Sequence, residues 1–187
     1  MNTNGNTLPK KQHLSTSGVT LMPAMDTISD TCCEPVSGNE KPGYRLCPYV
    51  DEFIPTEMGP VPRIKTVLSL QDRVSTLFVR CGINRYQYRV APGLYGVGQP
   101  DKTSEVLVTA NFKLTFDHLR KKLAPLNAWI LVLDTRGINV WCAAGKGTFS
   151  TQELVDRIRQ ADLDKIVDHR RVIVPQLGAT GVSARAV

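Results

Sequence analysis

Residues 128–146 read AWILVLDTRGINVWCAAGK. Ala128 to Leu133 is an unbroken apolar run with β-branched and aromatic members, closed by Asp134 and a Thr-Arg-Gly turn. So short and uniformly apolar a run predicts a strand buried on both faces, in a parallel sheet. The second half predicts one or two helical turns over Val140 to Ala144, with Asn139 as N-cap and Gly145 as the C-terminal stop. Cys142 then sits near the start of a short helix, just past the carboxyl end of a central strand, at the edge of an open α/β sheet where ligands bind.

Downstream, Ser150-Thr151-Gln152-Glu153 is a capping box opening a helix with Leu154, Ile158 and Ala161 inward. Arg171 to Val174 predicts a strand, and PQLGATGV after it a loop. Upstream, EVLVTA (105–110) predicts a buried strand, followed by a helix with Phe116, Leu119 and Leu123 on one face. Arg120, Lys121 and Lys122 are expected outside, near the helix end whose dipole favours cations, and His118 at the boundary. From Ser69 to Cys81, Leu70, Val74, Leu77 and Phe78 mark one helical face behind a Ser69–Asp72 capping box. Tyr86 to Val90 alternates like a short strand, whereas residues 91–100 are turn chemistry, and PGLYGVG reads as a tight surface loop because no helix follows it.

Residues 1–62 are polar and proline-spaced (Pro42, Pro48, Pro55, Pro60, Pro62) and show neither periodicity, so a largely disordered segment is expected ahead of a folded unit over 63–187. The fold expected there is α/β and Rossmann-like, a mostly parallel sheet with flanking helices and right-handed crossovers. A doubly wound sheet normally has further strands, so the chain reads as a piece of a longer protein.

Composition narrows the classes. The 187 residues are 42% hydrophobic, enough for a core. No stretch reaches the roughly 18 apolar residues of a bilayer span, and Val19 to Met25 is too short and broken to be a signal, so the cytoplasm is the expected location. The net charge of +6 is scattered without interleaved aromatics, which argues against nucleic acid. The five cysteines form no C-x-x-C and have no histidine pair nearby, against a disulfide framework, zinc or an iron–sulfur cluster. The vicinal Cys32-Cys33 reads as a pair of idle thiols or, less readily, as a soft-metal site. Cys142 itself leaves three readings open: a packed thiol, a nucleophile beside a helix start and Lys146, or a metal ligand. Ala143, Ala144 and Gly145 remove bulk beside it, as a flat, wide ligand pressed on the helix requires, and Trp141 packs either on such a ligand or in the core.

The segment Asn139-Val140-Trp141-Cys142-Ala143-Ala144-Gly145-Lys146 resembles the cap-helix motif of the corrinoid protein of microbial mercury methylation, and residues 68–183 resemble that family more broadly. More distantly the region resembles the corrinoid-binding domain of the large subunit of the corrinoid iron–sulfur protein of the acetyl-CoA pathway. The first resemblance implies methyl transfer from methylcobalamin to Hg(II), with Cys142 as lower axial ligand to cobalt, the cofactor's own base displaced, and residues 139–146 as the cap. It further implies a ferredoxin with two 4Fe–4S clusters as reductant, a methyl-tetrahydrofolate species as methyl donor, and a C-terminal membrane domain following this one. The second implies a methyl carrier of acetyl-CoA metabolism, in which the cap position is not expected to be cysteine. Thr109, Asn111, Gln176 and Gly178, at carboxyl ends of predicted strands, are candidates for the corrin rim or nucleotide tail.

Overall fold

The structure, a computed structural model, describes residues 31–32, 47–83, 85, 87–185 and 187. In chain order the elements are β1 (Thr31–Cys32), β2 (Val50–Thr56), β3 (Gly59–Ile64), α1 (Leu70–Arg80), β4 (Arg89–Val90), β5 (Gly93–Val97), β6 (Val106–Ala110) and α2 (Lys113–Lys122). They continue with β7 (Ala128–Leu133), α3 (Val140–Gly145), α4 (Thr151–Gln160), α5 (Leu163–Ile166), β8 (Val172–Ile173) and a 3-10 helix, Gln176–Gly181. Six strands form one sheet in the order β2-β3-β5-β7-β6-β8, and β1 pairs with β4 apart from it.

The apolar run is β7, at the middle of the sheet, and it is continuous because both faces are covered. Trp129, Leu131 and Leu133 face α3, α4 and α5 with Val140, Phe149 and Leu154. Ile130 and Val132 face the opposite layer, where Phe116 of α2 meets Tyr49 and Tyr95. The sheet is mixed and mostly parallel: β3/β5, β6/β7 and β6/β8 run parallel, while β2/β3 and β5/β7 run antiparallel. Among the described residues no helix is long and apolar enough to cross a membrane.

Several expectations are corrected. Residues 50–62 are a β-hairpin rather than patternless chain: Pro55 pairs with Pro60, and Pro62 with Phe53; Pro55 lies on the edge strand β2, where a missing N–H is tolerated, and Pro60 and Pro62 on β3, whose register with β5 is set at Arg63. PGLYGVG is no surface loop but β5, buried and antiparallel to β7. Gly96 lies opposite Trp129, and a Cβ there would collide with Ile54, so glycine makes room for the indole and the hairpin. Gly145 is the last residue of α3, and the left-handed stop is Gly147, at φ 72°. Arg120 is fully buried, not outside: Asp72 and Asp117, carried by α1 and α2, supply the carboxylates that pay for its burial. Cys33 and the side chain of Cys32 lie outside the described residues.

The buried charges form one network. Lys113 Nζ bonds Asp72 and Asp117 at 2.7 Å each, and Arg120 reaches Asp117 at 2.7 Å and Asp72 at 2.9 Å. Asp72 also completes the capping box of α1 with Ser69. One carboxylate thus fixes the start of α1 and ties it to α2.

Candidate functional site

β6 and β7 are parallel neighbours, yet the helices that follow them leave toward opposite faces: α2 packs on the Phe116 side, α3 and α4 on the Phe149 side. Their carboxyl ends therefore open a crevice at a topological switch point, the place where open α/β sheets bind ligands.

Asn111 follows β6 and builds the floor of that crevice. Its side-chain oxygen accepts from the Thr135 backbone N–H at 3.1 Å, the Thr135 hydroxyl at 2.8 Å and the Gly137 N–H at 2.9 Å. Its amide donates to Asp134 Oδ1 at 3.1 Å. Thr135 Oγ1 also approaches the Ile138 carbonyl at 2.6 Å, and Asp134 Oδ1 accepts from the Arg136 N–H at 3.0 Å. Arg136 at φ 59° and Gly137 at φ 73° turn the chain sharply within these bonds. From the other side Glu153 Oε1 accepts from the Asp134 N–H at 2.8 Å and is held by Arg157 at 2.8 Å. The loop over residues 134–138 is thereby bracketed from β6 and from α4 before it delivers α3.

α3 starts where the sequence predicts. Asn139 is the N-cap, its side-chain oxygen accepting from the Cys142 N–H at 2.9 Å. Val140 and Ala143 point into the core, while Trp141 (68% exposed), Cys142, Gly145 and Lys146 face outward. The Cys142 thiol is free and exposed, and a Cβ at Gly145 would meet nothing within 4 Å. The inner face of α3 rests on the 3-10 helix, in which a Cβ at Gly178 would lie 2.9 Å from Val140 and 2.6 Å from Phe149, and one at Gly181 would strike the Phe149 carbonyl.

The structure thus brings Asn139 to Lys146 together as one element and separates the other expected contacts into different roles. Thr109 and Asn111 are both buried, and Asn111 is engaged through its side chain and through both backbone groups, which bond Leu133 and Val90. Asn111 positions the loop through these bonds. Gly178 is likewise buried, serving close approach to α3, and Gln176 is exposed beside it. Sequence reading missed Thr135 and the reach of Glu153 to Asp134: the capping-box pattern explains Ser150 accepting from the Glu153 N–H but hides the carboxylate's longer partner. Among the described residues no three His, Cys, Asp or Glu side chains cluster as a metal site.

Residues 80–183, which hold this whole crevice, match the model of the CO dehydrogenase/acetyl-CoA synthase delta subunit family. The chain belongs to that family. Subunits of acetyl-CoA decarbonylase/synthase complexes resemble about half of it. The acetyl-CoA decarbonylase/synthase complex subunit gamma of Methanopyrus kandleri is 38% identical over 93 residues, 49% of this chain and 20% of that protein. The gamma 2 subunit of Methanosarcina thermophila is 39% identical over 90 residues, covering 46% and 19%. The gamma subunit of Archaeoglobus fulgidus is 30% identical over 97 residues, covering 51% and 21%. The chain spans about a fifth of the length of these relatives. Family and relatives correct the expectation of Hg(II) methylation: both point to acetyl-CoA chemistry, the alternative that the sequence also carried.

Proposed function

We propose that this member of the delta subunit family is the corrinoid-binding part of a methyl-carrying subunit in an acetyl-CoA decarbonylase/synthase type of assembly. The observation that carries the reading is that the crevice at the carboxyl ends of β6 and β7 lies wholly within residues 80–183, the stretch that matches the family, with Cys142, a free and exposed thiol, on the short helix at its edge. The residues present fit a flat macrocycle. Gly145, one turn on, leaves the surface beside the thiol bare, and Trp141 offers an exposed apolar wall next to it.

A bound corrinoid would supply a cobalt ion able to accept a methyl group and release it again. Cys142 would be the residue to hold that metal, through a soft sulfur donor. Asn139 holds the first turn of α3, and Asn111, Thr135 and Glu153 hold the loop that delivers it, so the sulfur has a set position before any ligand arrives. Ala143, buried beneath the thiol-bearing face, keeps the helix seated. The partners of such a carrier are the other subunits of the assembly, a methyl-tetrahydrofolate-dependent donor and a low-potential reductant of the ferredoxin class.

The test is reconstitution with cobalamin, comparing the visible absorption of the wild type with Cys142→Ala. Cobalamin comigrating with the protein, and a spectrum that changes on loss of the sulfur, is the expected result. Failure to retain cobalamin sinks the whole reading; retention with identical spectra sinks sulfur ligation.

A further inference from the structure

The face of α1 that the sequence marks as apolar is turned away from the domain. Leu70, Val74, Leu77 and the capping Cys81 recur at alternating intervals of four and three residues, the seam of a helix that pairs with another helix. All four are exposed, Leu70 to 78% and Leu77 to 63%, and Phe78 and Ile83 widen the strip. Ile83 is held there by its N–H donating to the Phe78 carbonyl at 3.0 Å.

The helix cannot roll to hide this strip. On its opposite side Val79 is buried beside Tyr88 and Phe112, and Asp72 is gripped by Lys113 and Arg120. The charges along the seam then select the occupant. Arg73 and Arg80, seven residues apart, flank it on one side, both exposed, and the helix's single carboxylate, Asp72, is the one turned inward. A second copy brings no carboxylate to meet them: an antiparallel pair sets arginine against arginine and a parallel pair offers the other flank, Gln71 and Phe78, so self-pairing leaves both charges without a partner.

We propose that α1 is a docking helix for a partner protein, received as an amphipathic helix with an apolar seam and glutamate or aspartate on its flank. This inference is independent of the cobalamin reading: α1 lies ahead of the family match at 80–183 except for its last residue.

The probes are two synthetic peptides with leucine at the seam positions, one with glutamate and one with lysine at the flanks, titrated by fluorescence anisotropy against the full chain. The glutamate peptide is expected to bind at least about tenfold tighter than the lysine peptide. Leu77→Asp, a change at an exposed position that leaves the circular dichroism intact, is expected to abolish that binding, and Arg73→Glu with Arg80→Glu to reverse the preference. Absence of binding, equal binding of both peptides, or indifference to Leu77→Asp overturns the proposal. So does either alternative occupant: a dimer in sedimentation, or association with phosphatidylcholine–phosphatidylglycerol vesicles, that Leu77→Asp removes.

Discussion

The side-chain oxygen of Asn111 accepts a hydrogen bond from the Gly137 N–H at 2.9 Å, joining the end of β6 to the loop after β7. The same oxygen serves Thr135 twice, so one buried amide organises the crevice. Asn111→Ala strands these donors and is expected to destabilise the domain by about 2–4 kcal/mol in urea unfolding. The variant is also expected to change the rate at which Cys142 reacts with a thiol reagent under native conditions. An unaltered rate would show that α3 holds its place without this bond.

Arg120 is fully buried between two carboxylates. Arg120→Met leaves Asp72 and Asp117 with Lys113 as their remaining cation in the network, and a loss of about 3–5 kcal/mol is expected. The check is a denaturation series that includes Arg120→Lys, which restores charge but not the forked geometry and is expected to recover part of the loss.

Acid is expected to attack the same network. Burial pushes the Asp72 carboxyl up, but Lys113, the Ser69 N–H and Arg120 outweigh it and hold the group well below the usual carboxylate range. A carboxyl whose folded value lies below its unfolded value stabilises fully above the latter, about 3.9, and loses that stabilisation as pH falls through the former. For Lys113 burial pushes down, but Asp117 and the other partners prevail and raise it. Its contribution is complete below about 10.4 and is lost only as pH climbs through the raised folded value. Urea midpoints from pH 7 downward are therefore expected to fall below about pH 4 more steeply in the wild type than in Asp72→Asn. Equal slopes would show that other carboxylates govern the acid limb.

Two glycines, Gly181 packed beside α3 and Gly145 at its end, are expected to respond oppositely to alanine. A Cβ at Gly181 collides with the Phe149 carbonyl, so Gly181→Ala pushes the 3-10 helix off α3 at a cost of roughly 1–3 kcal/mol. At Gly145 nothing lies within 4 Å of an added Cβ, and Gly145→Ala is expected to leave thermal stability equal or slightly raised. Gly145→Leu, on the same open face, is expected to fold normally and to weaken cobalamin retention on a desalting column. Retention equal to wild type would place the cofactor elsewhere.

The parallel half of the molecule was legible because its signals are local and uncontested. The apolar run of β7, the Asn139 cap and the Ser150 cap each have one physical interpretation. The antiparallel half was not, because its residues argue for something else when read alone. Gly93, Gly96 and Gly98 look like turns until Trp129 is seen opposite Gly96, and Pro55, Pro60 and Pro62 look like linker until they occupy the β2–β3 hairpin. Arg120 stands in a basic triplet at a helix end, and only the arrival of Asp72 from 48 residues upstream makes its burial possible. Asn111 was singled out, but its partners come from a loop more than twenty residues away, so its role as a bracket could not be separated from that of a ligand contact.

The hairpin that sequence reading overlooked also determines how the sheet ends. An open rim of unpaired backbone groups recruits strands from other molecules and seeds fibrils. Here one rim is β2, interrupted by Pro55 and studded with the exposed carboxylates of Asp51 and Glu52, and the other is β8, two residues long. Neither offers a template long or neutral enough to propagate, so Pro55, one of the prolines that disguise the hairpin as linker, also helps keep crowded copies of the chain from zipping together.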